Sequence, residues 1–299
     1  MTEKFSSSAR TDLGRIRREL KAEQRRLDAR RFFRNRHAVF GALIVTVMLL
    51  VALLAPVIAP ADPLAQTISN RFAKPGTAGY LLGADKLGRD LLSRIIYGAR
   101  VSMIVGVSVG LSSMVLGMIV GLYSCYYKRL GAVLMRICDG LSAIPSTLLA
   151  IALMAVFGPG IPNVILALSI VYTPRMARVS RSAALVVMEQ TYIEALRSQG
   201  ASAFRIIWRH VAPNILSPVV VQASYNFANS IITEAALSFL GVGVPAPQPS
   251  WGNILSEGRE VITKAWWMIV YPGLATALAV MGTNIFGDGL RDILDPHSN

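Results

Sequence analysis

Charge is scarce in this chain of 299 residues. Only 16% of its positions are Asp, Glu, Lys or Arg, against 53% hydrophobic residues. Soluble domains carry about a quarter charged residues, so a water-soluble globular fold is excluded as the main architecture. Carboxylates are scarcer still: 17 acidic residues face 30 basic ones, a net charge of +13. In a soluble protein that excess would suggest nucleic acid. Here the basic residues follow the order of the apolar runs, and that reading is set aside. There are two cysteines, Cys125 and Cys138, with neither metal-site spacing nor a disulfide framework. They read as reduced thiols near the cytosolic edge. His37, His210 and His297 are scattered singly and imply no metal site. The chain also has no GxxxxGK[ST] phosphate loop, no GxSxG elbow and no paired histidines inside an apolar run. An intramembrane protease or lipid transferase would need a nucleophile with its base, or a metal cluster. An ATP-independent carrier would usually show an internal repeat, and none is evident.

What the chain does have is apolar blocks of about 20 residues, enough to cross roughly 30 Å of hydrocarbon as helices. Six spans are predicted, near 38–60, 101–124, 140–157, 161–176, 215–240 and 266–287. The third and fourth are interrupted by Pro145, Pro162 and Pro174, which membrane helices tolerate when neighbours satisfy the freed carbonyls. The leader of 37 residues before the first run argues for a retained anchor over a cleaved signal peptide. With the N-terminus inside, 22 Lys and Arg fall on the cytosolic side and eight outside. The positive-inside rule therefore places both termini in the cytosol. The layout is a basic cytosolic segment 1–37, a first helix 38–60, an external loop 61–100, a transmembrane domain 101–292 with a cytosolic loop 177–213, and a tail 293–299.

Within the N-terminal segment, Leu13, Ile16, Leu20 and Leu27 form one stripe of a predicted amphipathic helix, with Phe32 and Phe33 among arginines. It reads either as a helix lying on the lipid surface or as a solvated orientation signal. In the second span Gly106/Gly110 and Gly117/Gly121 are each four apart, the small-xxx-small spacing that lets helices approach closely.

Residues 191–215, TYIEALRSQGASAFRIIWRHVAPNI, are the least expected stretch. Phe204, Ile207, Trp208 and Val211 fall at helical spacing, with Arg205 and Arg209 opposite. Tyr192, Ile193 and Leu196 give a shorter helix upstream. Gly200 lies between them, where a left-handed residue is cheapest as glycine. Pro213 suits the first turn of the next helix. Two short helices with a sharp bend are predicted. Such a rigid element suits docking to a soluble partner, with a self-packed structural loop as the alternative.

The same stretch carries a resemblance. EALRSQG at 194–200 with Pro213 downstream resembles the cytosolic signature of ABC importer permeases, departing from it at Leu196 and Ala212. LLGADKLGRDLLSRIIYGARVS (81–102), ITEAALSFLGVGV (232–244), PSWGNILSEGR (249–259) and NIFGDGLRDILDP (284–296) are similar to the permeases for dipeptides, oligopeptides, nickel and related solutes. The similarity runs from about residue 80 to 296, with five motifs in order.

The resemblance implies an all-α polytopic membrane protein of the ABC importer type I (MetI-like) permease fold. It implies a coupling helix seated in a cleft of an ATPase subunit, built from Tyr192, Glu194, Ala195, Leu196 and Gly200 and supported by Ala201, Arg205 and Pro213. The chain itself would bind no cofactor and catalyse nothing. ATP and Mg would sit on one or two separate ATP-binding subunits. A homologous second permease, membrane lipid and an extracytoplasmic solute-binding protein would be its partners in a bacterial inner membrane, with no nucleic acid involved.

Other charged groups leave alternatives open. Asp85, Arg89, Asp90 and Arg94 read as an ion-pair network capping the second span, with Asp90 and Arg94 paired at i, i+4, or as a contact for the binding protein. Glu234 is the one carboxylate well inside a predicted span, near Asn226, Asn229, Ser230 and Thr233. A charge at that depth costs roughly 2.5–3.5 kcal/mol on insertion scales. These five residues read as lining a translocation cavity or subunit interface, or Glu234 as one half of a buried structural pair. Asp288, Arg291, Asp292 and Asp295 either anchor the end of the sixth span or add a second ATPase contact.

Overall fold

The computed structural model describes residues 30, 32–77 and 79–294. The stripe Leu13, Ile16, Leu20 and Leu27, and the residues Asp295 and His297, lie outside them. Nine helices of eight or more residues order the described chain: α1 (Arg36–Leu53), α2 (Leu91–Tyr126), α3 (Lys128–Ser142), α4 (Ser146–Phe157), α5 (Ile161–Met188), α6 (Thr191–Ser198), α7 (Leu216–Phe239), α8 (Trp251–Arg259) and α9 (Trp267–Leu294). Among the described residues β-structure is limited to two isolated bridges, Thr77 with Tyr80 and Ala84 with Asp90.

Three helical stretches are long and apolar enough to cross a membrane: Arg36–Leu53, Leu91–Tyr126 and Trp267–Ile293. The pair α3 and α4 passes the same test together but bends by 94° at the break. The interruption expected at Pro145 in the span near 140–157 is thus a sharp break between two helices. Pro145 disfavours helical backbone at the residue before it, so α3 stops and α4 begins beyond it. Pro174 does not interrupt α5, which runs through it to Met188. With 28 and 24 residues, α5 and α7 are long enough to span. Their arginines, or their Asn, Ser and Gln residues, keep them below the apolarity of the other three. Length and apolarity alone thus support fewer than the six predicted spans.

The longest helix organises the rest. α2 has 36 residues and starts ten residues before the predicted second span, because the Asp90 carboxylate accepts the Ser93 N–H at 2.7 Å and caps it there. At 1.5 Å per residue it is about 54 Å long. It packs along α5 and α7. The paired glycines make that approach possible. A Cβ on Gly106 would lie 2.2 Å from the Phe227 ring of α7, and Cβ atoms on Gly117 and Gly121 would strike Met176 and Ser180 of α5. α1 packs on α9, where Gly41 lies against the backbone of Phe286. Trp251, fully buried on α8, donates its indole N–H to the Ile95 carbonyl and ties α8 to the first turns of α2.

Candidate functional site

The 191–215 segment sits at the far end of α2 from Asp90. Gly200 adopts φ +75°, and the backbone around it forms a Schellman motif. The Gly200 N–H reaches the Arg197 carbonyl at 2.9 Å and the Ala201 N–H reaches Leu196 at 3.0 Å. Two helical pieces result, as predicted. The second differs in detail. Ser202 caps a short α-turn that passes into a π-helix, Ile206–Val211, and then into a 3-10 turn, Ala212–Ile215, which holds Pro213. The wider i→i+5 turn rotates the stripe. Ile207 and Val211 are buried as expected, but Ile206 joins them and Phe204 is 69% exposed.

The segment has two faces. Ile193, Ile206, Ile207, Val211 and Ile215 enter one apolar cluster with Met118 and Leu122 of α2, Met176 and Ala184 of α5, and Val219 of α7. Leu196, Ala201 and Trp208 pack against it, and the Trp208 indole lies 3.5 Å from the Tyr123 hydroxyl. Outward stand Tyr192, Glu194, Ala195, Arg197, Gly200, Phe204 and Arg205. Asn214 bonds both the Tyr192 hydroxyl and the His210 carbonyl, bracing the two pieces together. A polar and aromatic outer face on an apolar root shared by three long helices is suited to passing force between a partner and those helices.

At the opposite end, Asp85, Arg89 and Arg94 form one buried network completed by Glu257 of α8. Asp85 receives Arg89 at 2.6 Å and Arg94 at 2.5 Å; Glu257 receives both arginines at 2.7 Å. One expectation is corrected here. Asp90 does not pair with Arg94, because it is spent on the helix cap. Asp85, Arg89, Asp90 and Arg94 are each at most 5% exposed, and the ion-pair alternative describes three of them, Asp85, Arg89 and Arg94. Glu257 lies 163 residues from Arg94 in sequence, too distant for local spacing to suggest the pair.

The α7 residues read as cavity-lining turn mostly inward. Glu234 is fully buried and accepts the hydroxyls of Ser102 (3.0 Å) and Ser238 (2.8 Å). Ser238 in turn accepts the Val244 N–H at 3.1 Å, so the carboxyl group pins the chain after α7 to α2. Asn226 bonds Gln222 and Ser113, and Thr233 bonds the Tyr172 hydroxyl. Ser230 returns its hydroxyl to the Phe227 carbonyl. Asn229 is half-buried and bonded to the Tyr225 carbonyl. Asn226, Ser230, Thr233 and Glu234 are thus buried against this chain's own helices, with α2 and α5 supplying partners to Asn226, Thr233 and Glu234.

The comparisons agree with these motifs. Residues 113–299 match the family model "Binding-protein-dependent transport system inner membrane component". Residues 26–75 match "N-terminal TM domain of oligopeptide transport permease C". The chain belongs to the binding-protein-dependent permease family. The dipeptide transport system permease protein DppC of Escherichia coli K12 is 44% identical over 271 residues, covering 89% of this chain and 90% of that one. The di/tripeptide transport system permease protein DppC of Pseudomonas aeruginosa is 41% identical over 271 residues, 89% of each chain. The dipeptide transport system permease protein DppC of Alkalihalophilus pseudofirmus is 40% identical over 264 residues, 88% of this chain and 86% of that one.

Within this permease, sequence reasoning found Glu234 but missed its partners Ser102 and Ser238, and it missed Glu257. The available signal was the presence of these residues inside the motifs 81–102, 232–244 and 249–259. Substituting Glu234→Leu strands two buried hydroxyls, each worth about 1–3 kcal/mol when unsatisfied. Glu234→Gln keeps a polar group between them. Thermal unfolding of the purified protein is expected to show a large loss for the leucine variant and a small one for glutamine.

Proposed function

We propose that this chain is the non-catalytic permease subunit of an ATP-driven importer for short peptides or closely related solutes. It forms the membrane pathway with a second, homologous permease. Six spans, with both termini in the cytosol of a bacterial cell, complete the arrangement. ATP and Mg are bound by one or two separate subunits, and an extracytoplasmic binding protein delivers the solute. The observation that carries the reading is the outward face Tyr192–Glu194–Ala195–Arg205 mounted on an apolar root shared by α2, α5 and α7. The relatives' peptide-transport names and the absence of a phosphate loop from the sequence support it. Nucleotide state on the ATPase and solute on the binding protein would each favour one facing of the pathway, since equal affinity for both facings shifts nothing.

The test is a photo-crosslinking side chain at position 195 together with uptake of labelled alanyl-alanine in cells with and without the ATPase genes. Capture of the ATPase and loss of uptake on its deletion are expected. Undiminished uptake without the ATPase, as an ATP-independent carrier would give, overturns the proposal.

A further inference from the structure

An open cavity of about 440 Å³ lies where α5, α7 and α9 meet near the 191–215 segment. That size is within the range of small-molecule sites. Its walls are partly apolar, from Val179, Pro218 and Val221, and its polar groups are Ser217, Gln222, Tyr225 and Arg291. None of these is a site residue of the coupling face or of the network around Asp85.

The polar groups are differently committed. Gln222 spends an amide N–H on the Asn226 carbonyl at 2.9 Å, and Asn226 is itself held by Ser113 at 3.0 Å. That chain fixes the Gln222 amide and leaves its carbonyl oxygen without a partner among the described residues. Tyr225 donates its hydroxyl to Asp288 Oδ1 at 2.5 Å. Arg291 lies beside the same hydroxyl and forms no ion pair with a described carboxylate. A guanidinium has five N–H donors in a planar fork suited to a carboxylate. The cavity thus offers a cation, a fixed carbonyl acceptor and an apolar wall, with the Tyr225 hydroxyl donated to Asp288 at its rim.

A ligand that satisfies all of these carries a free carboxylate, an amide or ammonium N–H and a small apolar body. We propose that the cavity is a binding site for the C-terminal end of a short peptide on the side of the permease that carries the ATPase-coupling segment. Arg291 holds the carboxylate, Gln222 accepts an N–H, and Val179, Pro218 and Val221 cover the side chain. In naming a peptide and a side, this rests on the proposed function. Its position gives it a consequence: Ser217, Pro218 and Val221 lie in the first turns after the coupling segment, and Val179 lies in the helix before it. A peptide seated there touches the elements on both sides of that segment before it leaves.

The experiment uses the complete transporter in proteoliposomes with the ATPase side outward and a photoreactive alanyl-alanine analogue added to that side. Labelling is expected on the 217–225 stretch and should be competed by excess alanyl-alanine but not by its C-terminal amide. Arg291→Gln should weaken labelling about tenfold or more, as loss of a charge-assisted pair does. Val221→Trp should abolish labelling by filling the cavity. Co-purification of the partner subunits and the unfolding midpoint show whether each variant is folded, and Arg291→Gln, at an exposed helix end, serves if the tryptophan variant is not. Label found elsewhere, or labelling competed by lipid but not by alanyl-alanine, or equal competition by the amide, overturns the site. ATP-dependent uptake of alanyl-alanine by the same vesicles tests the importer reading separately: uptake without labelling defeats only the site, and labelling without uptake defeats only the importer.

Discussion

Arg94→Ala is expected to destabilise the folded permease by about 3–5 kcal/mol, the usual result of removing one partner from a buried ion pair. Arg94 is 1% exposed and bonds both Asp85 and Glu257. Without it the two carboxylates share Arg89 alone, and one buried negative charge is left uncompensated. Glu257→Ala should act similarly by stranding a guanidinium. Because both changes dismantle one network, their combination should cost clearly less than the sum, with a coupling of about 0.5–3 kcal/mol. The control is the exposed pair Lys86–Glu260, 3.0 Å apart in the same region, whose loss should matter little because solvent screens it. Unfolding midpoints of the four variants in one detergent check this. Equal shifts for Arg94→Ala and Lys86→Ala would show that the buried network does not carry the stability of this end.

The consequence for transport follows from where the network sits. It joins the start of α2 to α8, and α2 runs unbroken to the apolar root of the 191–215 segment. A loosened start of α2 is expected to lower uptake even though the outward face of the 191–215 segment is untouched. The network would then act by holding the helix, not by touching solute or partner.

Local signals were readable from sequence, and pairings distant along the chain were not. The left-handed Gly200, the close-approach glycines of α2 and the helix over 216–239 follow from backbone sterics and apolar spacing, which are local. Asp90 was assigned to Arg94 because i, i+4 spacing permits that pair. A helix cap competes for the same carboxylate, and an unpaired N–H at the start of a buried helix is the costlier vacancy. Phe204 was placed inward by a period of 3.6 residues. The π-turn over residues 206–211 overrides it, and that turn packs against α2 and α5, contacts a local period does not encode. Glu234 was noticed for its charge, but its inward orientation depends on Ser102, which is 132 residues away.

Ile193→Asp is expected to abolish uptake while leaving membrane insertion intact. Ile193 is fully buried and is the residue of α6 that enters the apolar root. The buried residues packed around Ile193 are apolar, and placing an ionised carboxylate among them costs far more than the burial of the isoleucine contributes. The least costly response is for α6 to leave its seat, which exposes Leu196 and Ala201 and frees Tyr192, Glu194 and Ala195 from their fixed geometry. Helices α2, α5 and α7 keep their contacts with one another, so the variant should still reach the membrane and resist global unfolding better than Arg94→Ala. Ile193→Val keeps the root and should retain most uptake, at about 0.5–1.5 kcal/mol. Uptake of labelled alanyl-alanine, ATPase co-purification and protease protection of the membrane domain separate the effects. If Ile193→Asp imported at the rate of the parent, a rigid seat for α6 would not be what couples the permease to its partner.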